Sequence, residues 1–263
     1  HGDVVIAVRE RHHENREPTN SLVAFPIDGS AAPRVIVSGH DFFASPRVSP
    51  DGARLAWLAW DHPNMPWDGT ELWVGALDAG GSVSEPERVA GGVDESIFQP
   101  EWSPGGELHF VSDRTGWWNL YRVRDSEDGD IYQAEAEFGL PQWVFGMRRY
   151  RFDADGRIIC VYSRGGHEGL ATLHHGTLTT REIDRDAIGS SLAIGRNEVF
   201  LVAGSHSEPM GVVRVDLVTG KSETILSSQS IEVEPGLLSK PDAIEFPTGD
   251  GGTAHAFYYP PTH

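Results

Sequence analysis

The 263-residue chain has one cysteine, three methionines, few cations and no long hydrophobic run. A lone Cys160 leaves neither an intrachain disulfide framework nor a multi-cysteine metal site. It lies in the apolar run Ile158-Ile159-Cys160-Val161-Tyr162 and reads as a buried structural residue. No run approaches the roughly 18 residues of a membrane span. Lys and Arg number 21 against 39 Asp and Glu, a net charge of −18. Nucleic acid and anionic membranes both call for a basic surface, so neither is an expected partner. The same charge favours attraction of cationic ligands.

Several catalytic and ligand-binding motifs are also missing. There is no G-x-x-x-x-G-K-[ST] loop for phosphates and no G-x-S-x-G nucleophile elbow. His12-His13-Glu14 and His174-His175 lack the i, i+4 helical spacing of a zinc site. No metal or other cofactor is therefore expected, and no catalytic residue is assigned within the chain. The chain starts at His1 rather than Met. It is expected to lack its true N-terminus, and the absence of a signal peptide then carries no weight.

What is abundant is punctuation. The 30 Gly and 17 Pro separate short β-rich runs, and helical periodicity is not sustained over three turns. Strand-like runs fall at 4–8, 22–25, 34–37, 55–60, 72–77, 108–111, 120–123, 158–162, 199–203 and 212–215. Several are apolar throughout, as in strands covered on both faces. Ser49-Pro50-Asp51-Gly52 precedes one run, and Ser103-Pro104-Gly105-Gly106 and Asp153-Ala154-Asp155-Gly156 precede others. Ile194-Gly195-Arg196-Asn197 is a weaker copy, and the offsets are 54, 50 and 41 residues. Pro presets φ, Asp bonds its own backbone and Gly accepts positive φ, so these are tight turns. Four strands recurring at this spacing predict an all-β fold, a β-propeller. About five blades are expected, at roughly 3–38 (lacking its innermost strand), 46–90, 99–136, 148–183 and 190–226. The ragged start predicts that they belong to a larger propeller. The repeat breaks after 226, so 1–240 is read as the propeller domain and 241–263 as a linker with the first strand or two of another domain.

Antiparallel blades put alternate connections on opposite faces. One set is short and generic (49–52, 103–106, 153–156, 28–33, 216–221). The other is longer and more particular (11–19, 39–45, 61–69, 91–99, 113–117, 135–146), and function concentrates in such loops. Asp61-His62-Pro63-Asn64-Met65-Pro66-Trp67-Asp68-Gly69 presents Met65 and Trp67, and either is a stiff connection with Trp67 packed on a neighbour or contacts a ligand or forms an interface. Asp113-Arg114-Thr115-Gly116-Trp117-Trp118 reads as structural, with Asp113 and Arg114 paired locally and one Trp packed between blades. Gly91-Gly92-Val93-Asp94-Glu95-Ser96-Ile97-Phe98 places two adjacent acids after a flexible pair. They form either a solvated acidic loop or a grip on a primary ammonium.

Beyond single turns, longer strings carry a resemblance. Residues 49–68, Phe98-Gln99-Pro100-Glu101-Trp102-Ser103-Pro104 and Ser112-Asp113-Arg114-Thr115-Gly116-Trp117-Trp118-Asn119-Leu120-Tyr121 resemble the propeller of the prolyl oligopeptidase family. The acylaminoacyl-peptidase and dipeptidyl-aminopeptidase branch is the closer match. The tail, Ile244-Glu245-Phe246-Pro247-Thr248 with Tyr258-Tyr259-Pro260-Pro261, is similar to that family's crossing into its α/β-hydrolase domain. The resemblance implies a serine peptidase whose Ser-Asp-His triad lies beyond His263, in a domain of the same chain that partners this one. The propeller then caps the active site and admits short peptides. In the dipeptidyl-peptidase relatives a Glu pair ahead of an aromatic residue and a Trp-Ser-Pro stretch binds the substrate's free amino terminus. Asp94 and Glu95 stand so relative to Phe98 and Trp102-Ser103-Pro104, with Asp at 94 as a departure.

The expectation is thus the gating, substrate-selecting propeller of an aminopeptidase-type serine exopeptidase. Glu95, Asp94, Trp67 and Asp68 are its candidate substrate-binding residues, and an acidic chamber would disfavour acidic substrates. An acyl-peptide hydrolase shares the same strings. A different-class alternative is a stand-alone TolB-like binding propeller, which has no need of a tail such as 241–261. The lone cysteine and the family habit make the cytoplasm the expected location, and an oligomer is left open.

Overall fold

The turns set the frame. In the computed structural model, which describes residues 2–123, 129–230 and 233–262, the Ser49 amide donates to the Arg54 carbonyl (2.9 Å) and Gly52 to the Ser49 carbonyl (2.9 Å). Ser103 and Gly106 repeat this pattern at 2.8 and 2.9 Å. Gly52 and Gly106 sit at φ +77° and +83°, where a side chain is strained. In the weaker copy Asn197, at φ 60°, takes the glycine's place, as Asn tolerates the left-handed region.

These turns link antiparallel meanders. The first sheet has three strands, β1 (Val4–Arg11), β2 (Thr19–Pro26) and β3 (Arg34–Val37). Next come β4 (Phe42–Val48), β5 (Arg54–Trp60), β6 (Thr70–Leu77) and β7 (Val83–Gly92), then β8 (Ile97–Trp102), β9 (Leu108–Ser112), β10 (Asn119–Arg122) and β11 (Gly129–Tyr132). A fourth sheet holds β12 (Tyr150–Phe152), β13 (Ile158–Arg164), β14 (His167–His174) and β15 (Thr177–Arg181). A fifth holds β16 (Ala187–Ile194), β17 (Glu198–Gly204), β18 (Gly211–Asp216) and β19 (Ser222–Ser227). In the tail β20 (Asp242–Pro247) and β21 (Thr253–Tyr258) pair as a hairpin. Among the described residues the only helix is a single 3-10 turn at Pro235–Leu237. Every four-stranded sheet runs in sequence order, the form of a propeller blade.

By internal contacts the chain divides into two compact units, His1–Met147 with Ala154–Gly156 and Arg148–Asp153 with Arg157–His263. In the first unit β5 explains its own sequence. Arg-Leu-Ala-Trp-Leu-Ala-Trp alternates between two cores: Leu55, Trp57 and Ala59 pack with Leu22, Phe43 and Leu77, whereas Ala56 and Leu58 pack with Leu72, Ile97, Phe110 and Tyr121. A strand covered on both faces has no polar face to show, hence the unbroken apolar run. In the second unit Ile159, Val161 and Leu170 share a core with Ile188, Leu192, Val199, Leu201 and Val213. Cys160 is fully buried, and burial pushes its thiol up to about 12, as expected of an inert structural cysteine.

The second and third sheets open earlier than their turn signals indicate. β4 starts at Phe42, not 46, and β8 at Ile97, not 99. Ser45 and Gln99 adopt φ 50° and 49° just before Pro46 and Pro100, and the register shifts there between Ala44 and Arg47 and between Phe98 and Glu101. β4 and β8 therefore each carry a proline-marked bulge, and a proline in a run hides the strand from a reading of periodicity. The polar outer strands β15 (Thr-Leu-Thr-Thr-Arg) and β19 escape that reading for want of an apolar pattern.

Candidate functional site

Three connections on one side of the first unit are bolted together by hydrogen bonds. Gly91 turns the chain at φ +80°, and a Cβ there would lie 2.0 Å from the Thr70 carbonyl oxygen. After it, Val93–Ser96 form a tight link between β7 and β8, so the expected loop 91–99 is only four residues long. The Glu95 carbonyl accepts from the Thr70 amide (2.9 Å). The Ser96 hydroxyl donates to the Pro66 carbonyl (3.0 Å), and its amide donates to Asp113 Oδ1 (2.8 Å). Asn64 Nδ2 donates to the Val93 carbonyl (2.8 Å). Loops 61–69, 93–96 and 113–117 thus hold one another, and a rigid scaffold presents Glu95.

The Glu95 side chain is fixed at one oxygen. Oε1 accepts from the Ser112 hydroxyl (2.5 Å) and from Arg114 Nε and Nη2 (both 2.8 Å). The Arg114 guanidinium lies over the Tyr121 ring at 4.7 Å and the Phe110 ring at 5.6 Å, which holds its plane. Oε2 has no hydrogen-bond partner among the described residues. Beside Glu95 opens a concavity of about 480 Å³, lined by Arg88, Val89, Ala90, Gly91, Glu95 and Arg114. That size falls within the roughly 300–1,000 Å³ of small-molecule sites. Arg88 Nη1 donates to Glu71 Oε1 (2.9 Å), and Glu71 Oε2 accepts from the Trp73 indole (2.9 Å). Burial pushes the Asp113 carboxyl above its usual range, with the nearby Glu95 charge adding to the rise.

The candidate residues separate. Glu95 lines the concavity, whereas Asp94 is exposed to solvent and outside the lining. Trp67 is half-buried and packs on Trp143 at 4.3 Å between ring centroids. Asp68 is exposed and its Oδ2 accepts from the Met65 amide (2.9 Å), closing its own turn. Arg114 pairs with Glu95 and not with its neighbour Asp113. Trp118 is the packed tryptophan of its pair, stacked on Phe98 at 5.9 Å and pressed against Gly139, where a Cβ would come within 2.1 Å of its ring. Arg88, Arg114 and Ser112 escape a reading of the sequence as site residues, because only folding brings them to Glu95. The lining carries two guanidinium groups against one carboxylate, so the acidity of the whole chain is not reproduced here. Among the described residues no cluster of three or more His, Cys, Asp or Glu is placed to hold a metal ion.

The sheet order and blade form define the class: this chain is a portion of a β-propeller. No protein-family model matches it, and no curated protein does. Solved structures do. A Mycobacterium tuberculosis puromycin-hydrolyzing peptidase is 33% identical with a TM-score of 0.92, over 98% of this chain and 41% of its own. A puromycin hydrolase is 35% identical with a TM-score of 0.89, over 98% and 40%. Prolyl oligopeptidase B from Galerina marginata shares the fold at 15% identity and a TM-score of 0.70, over 97% and 36%. The chain thus spans about two fifths of the length of the peptidases it matches, and it corresponds to the propeller part of puromycin-hydrolyzing peptidases and prolyl oligopeptidases.

Proposed function

We propose that this chain is the substrate-selecting propeller of a serine exopeptidase of the aminopeptidase type. In this reading Glu95 holds the free amino terminus of a short peptide or amino-acyl amide, and the Ser-Asp-His triad lies in a hydrolase domain that follows the tail 241–263. The supporting observation is the one-sided clamp on Glu95. Arg114 and Ser112 occupy Oε1 and fix the rotamer, and the same residue lines an open concavity. A carboxylate so held accepts an ammonium without losing side-chain entropy at the moment of binding. The resemblance to puromycin-hydrolyzing peptidases fits, since puromycin is an amino-acyl amide with a free α-amino group. The chain's charge of −18 attracts such cations to its surface at long range, and the grip itself is local to Glu95.

The test uses the full-length enzyme and one chromogenic substrate in free-amino and N-acetylated forms. A charge-assisted hydrogen bond is worth about 1.5–3 kcal/mol, so Glu95→Gln should lower kcat/KM for the free-amino form about 10- to 100-fold and leave the acetylated form nearly unaffected. Equal losses on both forms would remove the role assigned to Glu95.

A further inference from the structure

The concavity beside Glu95 has a second pole. Arg114 is neutralised by Glu95 inside the lining, but the partner of Arg88 is Glu71, which is not a lining residue. Glu71 is already engaged by Arg88 Nη1 at one oxygen and by the Trp73 indole at the other. Arg88 Nε and Nη2 have no partner among the described residues, and about half of the side chain is exposed. Between the two poles the lining is Val89, Ala90 and Gly91, short side chains that keep the space open. With Glu71 counted beside Arg88, two guanidinium groups meet two carboxylates, so the site is balanced before a ligand enters. An ammonium seated on Glu95 then leaves one unbalanced positive charge beside two guanidinium groups, and like charges so placed repel. A ligand that brings its own carboxylate removes that repulsion and satisfies the guanidinium fork of Arg88 in the bidentate geometry that suits it.

We propose that the concavity is a zwitterion site, with the ligand's ammonium on Glu95 and a carboxylate of the same ligand on Arg88. The ammonium half rests on the proposed function; the carboxylate half rests on the open Arg88 donors and on the charge balance of the site. Two sources supply this chemistry: a substrate whose first residue is Asp or Glu, or a free amino acid released by the reaction. The assignment reverses the expectation that an acidic chain disfavours acidic substrates. The distributed surface charge is screened beyond about 10 Å at 0.1 M salt, whereas the Arg88 contact is direct.

The test compares kcat/KM of the full-length enzyme for the near-isosteric pair of Glu-first and Gln-first chromogenic substrates, and the inhibition constants of free leucine and leucinamide. Wild type, Arg88→Gln and Arg88→Lys are measured. A Glu/Gln ratio of at least fivefold that falls to about one in Arg88→Gln, and is partly kept in Arg88→Lys, assigns the site to the substrate's first side chain. A flat ratio, with leucine inhibiting at least fivefold more tightly than leucinamide only while Arg88 is present, assigns it to the free amino acid. If neither ratio depends on Arg88, the proposal is overturned. Ratios within one variant are insensitive to losses of folded protein. Glu95→Gln on the free-amino and acetylated pair reads the ammonium pole separately, so either half fails visibly without the other.

Discussion

Replacing His109 with Asn should flatten the dependence of stability on pH between 7 and 5. His109 lies in β9 and is 5% exposed; its Nδ1 faces the Glu107 carbonyl oxygen at 3.1 Å, so the neutral ring carries its proton there. Burial lowers its pKa from 6.5 to about 4, against smaller opposing effects of the Glu107 carbonyl and carboxylate, with Arg122 adding to the fall. The folded pKa is depressed, so as pH falls through 6.5 the unfolded chain takes up a proton that the folded chain refuses until about pH 4. Stability is therefore lost on acidification across that window and is constant with respect to this group below it. The gap from 6.5 to about 4 amounts to about 3 kcal/mol, of which about 2 kcal/mol is lost by pH 5. Asn offers an amide N–H where the imidazole offers Nδ1–H and does not titrate. Urea unfolding at pH 7 and pH 5 should show wild type losing about 2 kcal/mol more than His109→Asn. Equal losses in the two proteins would refute the assignment of that acid sensitivity to His109.

Two glycine substitutions test the turn that presents Glu95. Gly91→Ala sets a Cβ 2.0 Å from the Thr70 carbonyl oxygen at φ +80°, and the left-handed strain and overpacking together should cost about 2–5 kcal/mol in urea unfolding. Gly92→Ala, with no atom within 4 Å of its Cβ, should stay within about 0.5 kcal/mol of wild type, and an equal cost at both positions would contradict the geometry.

The sequence makes the blades legible where chemistry is local. The Ser49 and Ser103 turns form as their residues dictate, and the unbroken apolar run of β5 marks a strand between two cores. Legibility fails where a local signal is masked. Pro46 and Pro100 sit inside β4 and β8 at bulges, and β15 and β19 are too polar to show a pattern. At the site, Glu95 is visible as an acid after Gly91-Gly92, but its partners are not. Arg114 and Ser112 follow it by 19 and 17 residues, and antiparallel pairing of β8 with β9 closes that distance. Arg88 lies in a polar outer strand that nothing in its own neighbourhood distinguishes. Asp94 and Glu95 look alike in sequence, yet one side chain faces solvent and the other lines the concavity.

The most direct measurement is a crystal structure of the full-length protein holding a slowly hydrolysed peptide with a free amino terminus. The account predicts the peptide's ammonium nitrogen about 2.7–3.2 Å from Glu95 Oε2, with Arg114 still on Oε1. An amino group bound elsewhere, with Glu95 touched by Arg114 and Ser112 alone, would contradict it.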